Sequence, residues 1–189
     1  MDRTTRRVGV AVAGIAVLAW AWSAGATQCA ESSAGPPPLT SADARVRGGS
    51  GRLAAAIRGA AAGSSTFHRL VDQIGATDGV VYVLEGHCKR GLRACLILDM
   101  SVMGSNRVLW VRIDPRKMDR DLMGSIGHEL QHALEVLSHS TIRSGSAMIL
   151  LYNKDGSREG GHFETDAAIK MGRTVRAELA ACDAANRGK

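Results

Sequence analysis

The sequence predicts an α+β fold: a small antiparallel three-stranded sheet packed on helices, followed by a histidine-bearing helix and a long C-terminal helix. Three observations predict it. Segments of strand character, "VVYVLE" (80–85), "LRACLILDM" (92–100) and "RVLWVRID" (107–114), follow one another with short loops of Gly, Asn, Ser and Cys between them. On both sides of that block, apolar residues recur at helical spacing. Aromatic residues make up only 4% of the chain, so the core must be built from Val, Leu, Ile, Met and Ala, which suits close helix packing.

The 189 residues suffice for one domain with a core of its own. "MDRTTRR" is basic, "VGVAVAGIAVLAWAW" is apolar or small, and Ala24 and Ala26 supply a small-x-small pattern, so residues 1–26 read as an export signal peptide. That apolar run is short for a bilayer span; cleavage would leave no stable membrane span, with an uncleaved anchor as the alternative. Residues 27–50 are rich in Ser, Gly, Pro and Ala and show no period, which predicts a flexible linker before a domain at 51–189.

"GRLAAAIRGAAAG" is compatible with a short helix. After the capping residues "SST", Phe67, Leu70, Val71 and Ile74 fall at i, i+3, i+4 and i+7, the spacing of an amphipathic helix. "ATDG" ends it. The three strands come next, and their short connections predict antiparallel neighbours. Asp119 or Asp121 can cap the following helix, whose apolar stripe is Leu122, Ile126, Leu130, Ala133, Leu134 and Leu137. "SGSAMILLY" predicts a short helix capped by Ser144 or Ser146, "NKDGSREGG" a flexible loop, and residues from about Phe163 to Ala184 the last helix.

Charge excludes one class of function. The net charge of +6 falls to +4 when the signal takes away three arginines and one aspartate, and no basic run is interleaved with aromatics. Nucleic acid is therefore not an expected partner. Export would place the four cysteines in an oxidising compartment. Cys88 and Cys95 flank "KRGLRA" between two strand-like segments and are expected to bridge; Cys29 and Cys182 are left for each other or for nothing.

"HELQH" carries the chemistry. His128 and His132 are four apart, so on a helix they project from one face and can bind one ion. Glu129 lies about 100° around the axis from His128, where it can reach a metal-bound water without being a ligand. Zinc suits such a set: imidazole is a good ligand, catalytic sites keep three protein ligands, and water in the fourth position becomes acidic near neutral pH. Glu129 would then act as general base. The extended Met-turn pattern is not met, because Glu135 stands where it has glycine and Ser138 where it has the last histidine.

A third ligand is sought downstream. Glu164 is followed at helical intervals by Ala168, Met171, Val175, Leu179 and Cys182, the apolar face, whereas Asp166 leads the polar face. Glu164 is thus expected to point inward, and a buried carboxylate needs a partner such as zinc. Ala167 and Ala168 would let this helix approach the histidine helix closely. Glu135 is a candidate acceptor for a ligand histidine. Tyr152, His162, His139 and Arg143 are candidates to donate to a developing oxyanion.

With "HELQH" on one helix and Glu164 on a later helix, the chain resembles the zincin metallopeptidases, in their gluzincin arrangement, over approximately residues 65–184. The resemblance implies a Zn2+-dependent hydrolase of peptide bonds with a peptide or protein substrate. It also implies that the strand nearest the site, "RVLWVRID", pairs with extended substrate. A zincin-like binding protein without turnover, periplasmic or extracellular, is the rival; a structural protein with a chance motif is a third class. Zinc stoichiometry separates the last from the others, and the effect of Glu129→Gln separates the first two.

Overall fold

A computed structural model describes residues 44–89, 91–155, 157–159 and 162–188. The predicted export signal lies outside them, as does the predicted linker up to residue 43. The rest of that linker is already part of the domain. Val46–Gly48 form β1, which pairs in parallel with the next strand through Val46 opposite Val81 and Gly48 opposite Val83. Arg45 donates to Asn106, and Arg47 to the Ala44 carbonyl and the Tyr82 hydroxyl. Three residues are too few to display an alternating period, which is why this strand reads as linker.

Helix α1 (Gly51–Gly63) starts at Ser50, whose side chain accepts the Leu53 N–H, and buries Leu53, Ile57 and Ala60. Helix α2 (Ser65–Gly75) follows after one residue and buries Phe67, Leu70 and Ile74. That one residue, Ser64, is fully buried: its N–H closes α1 on the Ala60 carbonyl while its hydroxyl oxygen accepts the Phe67 N–H. Glu178 of the last helix ties this junction down, accepting from the Ser64 hydroxyl at 2.6 Å, the Thr66 N–H at 3.0 Å and the Thr66 hydroxyl at 2.6 Å.

The sheet contains β2 (Gly79–Glu85), β3 (Ala94–Leu96), β4 (Ser101–Met103) and β5 (Asn106–Ile113) beside β1. Its order is β1-β2-β5-β3, with β4 also on β5. Strands β1, β2 and β5 are parallel; β3 and β4 run antiparallel to β5. The sheet is therefore mixed, not the antiparallel trio expected. The loop after β2 carries the chain across one strand position, and β5 returns through a tight turn at Gly104 (φ +61°) to insert between β2 and β3. Strand β5 fits that central place because Leu109, Val111 and Ile113 are fully buried on one face and both of its edges are paired. The single strand expected over 92–100 is also broken: the ladder runs through β3 and the Ile97 N–H bond to Trp110, then resumes at β4.

Helix α3 (Arg120–Leu137) is capped by Asp119, which accepts the Leu122 N–H. Helix α4 (Gly145–Asp155) follows Ser144, whose hydroxyl accepts from Ala147. Where a flexible loop was expected, β6 (Ser157–Glu159) and β7 (His162–Glu164) pair antiparallel. Thr165 caps α5 (Asp166–Arg187), so the last helix begins three residues later than predicted. One face of the sheet packs on α1, α2 and α3, and α5 packs on α3. The close approach of α3 and α5 rests on two glycines. A Cβ on Gly172 would lie 3.0 Å from the Gly124 carbonyl oxygen and 3.3 Å from the His128 Cβ. Ala168 is fully buried at this contact, but Ala167 is exposed. No helix among the described residues is long and apolar enough to cross a membrane.

Candidate metal centre

Helix α3 places His128 and His132 one turn apart with their Nε2 atoms 3.1 Å from each other. Glu164, the last residue of β7, brings a carboxylate oxygen to 3.1 Å from the His128 Nε2. The three ligand atoms all lie within 4.8 Å of one another. This group could hold a metal ion, since two imidazole nitrogens and a carboxylate oxygen form a donor set for borderline cations. Glu164 gets there by a route other than the one expected: it ends a strand instead of standing on the face of a helix.

Each imidazole is fixed from behind. His132 is 4% exposed, and its Nδ1 lies 3.0 Å from a Glu135 oxygen. The other Glu135 oxygen accepts the Thr165 hydroxyl at 2.8 Å, so the residue that caps α5 also steadies the carboxylate behind the histidine. Burial opposes ionisation of Glu135, but the hydrogen bonds from His132 and Thr165 hold its carboxyl below the ordinary range. A carboxylate acceptor requires the proton of His132 on Nδ1, which turns the Nε2 lone pair toward His128. His128 hydrogen-bonds the backbone of Ala168, a bond that favours the protonated ring nitrogen facing it. Burial first, and the charge of His132 next, push the His128 imidazole down to about 4, so the ring is neutral at physiological pH.

Tyr152 supports the floor. Its hydroxyl donates to the His132 carbonyl at 2.8 Å, its ring meets the His132 ring edge-on, and it stacks on Phe163. Burial raises its pKa far above the ordinary tyrosine value. With its hydrogen on His132, Tyr152 is packing and not the expected oxyanion donor. His139 and Arg143 do not line the cleft: the His139 carbonyl accepts from Arg107, and Arg143 lies 3.9 Å from Asp78. The side chain of His162 is outside the described residues.

Glu129 sits beside the three ligand atoms and not among them, as the helical spacing requires. One of its oxygens accepts the Leu96 N–H at 2.7 Å. Burial pushes its carboxyl above the ordinary range, against the pull of His132 and of that N–H. Strand β3 thus lies next to the site, whereas β5, expected to be nearest, is interior. A cleft of about 400 Å³ runs over these residues, bounded by Leu96–Leu98 on one side and by the Cys88–Cys95 disulfide with His87, Lys89 and Arg112 at its rim. The bridge has the expected pairing, with sulfurs at 2.08 Å. Cys182 is also disulfide-bonded; the pairing of Cys29 is outside the described residues.

Sequence reasoning missed the Leu96 N–H, because which residues of an edge strand point outward depends on register. It also missed Thr165, although a threonine before "DAA" is a helix-cap signal that would have moved the start of α5 past Glu164. Comparison of the chain with protein families, with curated proteins and with solved structures returned no match.

Proposed function

We propose that this chain is an exported, zinc-dependent hydrolase of peptide bonds, with His128, His132 and Glu164 as ligands and Glu129 as general base. One observation carries the reading: with its Nδ1 against Glu135, His132 brings its Nε2 to 3.1 Å from the His128 Nε2, which lies 3.1 Å from a Glu164 oxygen, so three ligand atoms converge within 4.8 Å. A cation would hold the three together. Tetrahedral zinc with ligands at about 2.0–2.1 Å sets its ligand atoms roughly 3.3 Å apart, close to two of the three separations here, at 3.1 Å, with all three atoms within 4.8 Å. Bound there, zinc supplies a Lewis acid for the scissile carbonyl and makes water a nucleophile at neutral pH.

The chain's own residues supply the rest. Glu129, with one oxygen anchored on the Leu96 N–H, holds the other toward the cleft, where it takes a proton from the attacking water and delivers it to the leaving amine. Strand β3 is an open edge on which an extended peptide can add a further strand. In its ladder Cys95 faces Arg112 and Ile97 donates to Trp110, so the polar groups of Leu96 point away from β5; its N–H is taken by Glu129, which leaves its carbonyl for a substrate. The Cys88–Cys95 bridge supports export, since such bonds persist in oxidising compartments. The test is zinc analysis of purified protein together with cleavage of a mixed peptide library. One zinc per chain is expected, lost in Glu164→Ala. Glu129→Gln should keep the zinc and lose about 10²–10⁴-fold in rate. Equal cleavage by both proteins would remove Glu129 from the mechanism, and bound zinc with no cleavage would leave a binding module.

A further inference from the structure

We propose that the cleft recognises a carboxylate on the C-terminal side of the scissile bond, through Arg112 with His87 and Lys89 beside it. The inference rests on the peptidase reading for the direction of the substrate, and deepens it by naming a substrate class. Arg112 is exposed at the cleft rim and makes no ion pair with any described residue. Its aliphatic stem is held by the backbone at Gly86, where an added Cβ would lie 3.3 Å from the Arg112 Cδ. Of the carboxylates nearest this rim in sequence, Asp114 is taken up by Arg116 at 2.7 Å and Glu85 accepts from the Ser50 hydroxyl. The Arg112 guanidinium is therefore not cancelled by an ion pair with a described residue.

Register says which part of a substrate meets it. Directly opposed residues on neighbouring strands share a face, and Arg112 is opposed to Cys95. A peptide added antiparallel to β3 places, opposite Cys95, a side chain on that same face, two strand spacings from β5 and within reach of a long guanidinium. Glu129 is anchored at Leu96, one residue further along β3. In an antiparallel substrate the residues set against Cys95 and beyond follow, toward the C-terminus, those set against Leu96. Two sources offer the same chemistry: an aspartate or glutamate side chain, or the free carboxylate of the chain end.

Binding distinguishes this proposal from the hydrolase reading. The zinc-loaded Glu129→Gln protein is titrated with fluorescent, N-acetylated and C-amidated peptides in which one glutamate or glutamine is walked along a neutral sequence. A second set carries the free C-terminal carboxylate at each length. Expected is a preference of about fivefold for the carboxylate at one or two positions, shrinking at high salt, as for a partly exposed charge pair. Added Arg112→Gln should remove the preference and Arg112→Glu should turn it toward lysine, while superimposable unfolding curves show both variants folded. Preference in the side-chain set identifies an internal acidic residue, and preference in the second set alone identifies the chain end; both support the proposal. Equal binding of all peptides overturns it, whether or not wild type cleaves them. Charge-dependent binding with no cleavage by wild type would instead sink the hydrolase reading and leave Arg112 as the carboxylate subsite of a binding cleft, with no scissile bond to define its side.

Discussion

Helix α3 carries two buried polar clusters, and they are built on opposite principles. At its C-terminal end Arg107 of β5, 1% exposed, donates to Asp78 and to the carbonyls of Val136, Leu137, His139 and Ile142. The last carbonyls of a helix have no partners within it, and a guanidinium presents five N–H groups to them. Donors meet acceptors, the charge is matched, and the cluster is closed. One to two turns earlier, His128, His132 and Glu164 bring acceptor against acceptor at 3.1 Å. The first arrangement stabilises the protein by itself. The second could hold a cation, and if it does, that is the physical difference between a structural cluster and a binding one.

That difference can be broken by mutation from either side. Arg107→Met would remove the guanidinium that serves Asp78 and four carbonyls, and should destabilise the chain by about 3–5 kcal/mol, read as a shift of the urea unfolding midpoint, with or without zinc. The site should behave in the contrary way. His128→Leu removes an acceptor from a crowded group, so the metal-free protein should lose little or nothing. Wild type should gain about 2.7 kcal/mol at a zinc concentration of 100 times Kd, and the variant none of it; unfolding with and without zinc checks this. A loss of stability in metal-free His128→Leu as large as that of Arg107→Met would show the two clusters to be of one kind. Glu135→Ala sharpens the contrast further, because it frees the His132 Nδ1 hydrogen from its partner. Zinc affinity should fall about 10–100-fold, measured by competition with a chelator, while the ligand count stays at three.

The motif helix was legible because two independent signals agree: the 3.6-residue stripe from Leu122 to Leu137 and an aspartate cap in front of it. The disulfide was legible from spacing. Glu164 was found by an argument whose premise fails. Its inward direction was inferred from a helical interval to Ala168, yet α5 starts at Asp166 and the carboxylate arrives from β7. What saved the inference is that Thr165 hands the strand directly to the helix, so Glu164 and Ala168 still meet the same surface of α3. The strand order was not legible, since a seven-residue separation between Cys88 and Cys95 can close a hairpin or step over a neighbouring strand, and only long-range pairing decides. Strands of three residues, β1, β6 and β7, are shorter than the period that would betray them. The α3–α5 contact was assigned to Ala167 and Ala168; Ala168 is buried in it, Ala167 is exposed, and the closest backbone approach is made by Gly124 and Gly172.

The other end of α3 offers a smaller test of the closed kind of cluster. Asp119 accepts the Leu122 N–H at 2.9 Å and pairs with Arg93 at 2.6 Å. Burial resists its ionisation, but the Leu122 N–H, Arg93 and Lys117 outweigh that resistance and bring the carboxyl from 3.8 down to about 2. The folded value lies below the unfolded one, so this contribution is fully present above pH 3.8 and is lost as pH falls toward 2. Asparagine still caps a helix but cannot titrate or carry charge to Arg93. Asp119→Asn should therefore cost about 1 kcal/mol at neutral pH, and the gap between the two proteins should close as the pH is lowered through that window. The two proteins differ only at residue 119, so the difference between the two curves isolates Asp119; a gap that stays constant down to pH 2 would mean that the cap, and not its charge, holds the start of α3.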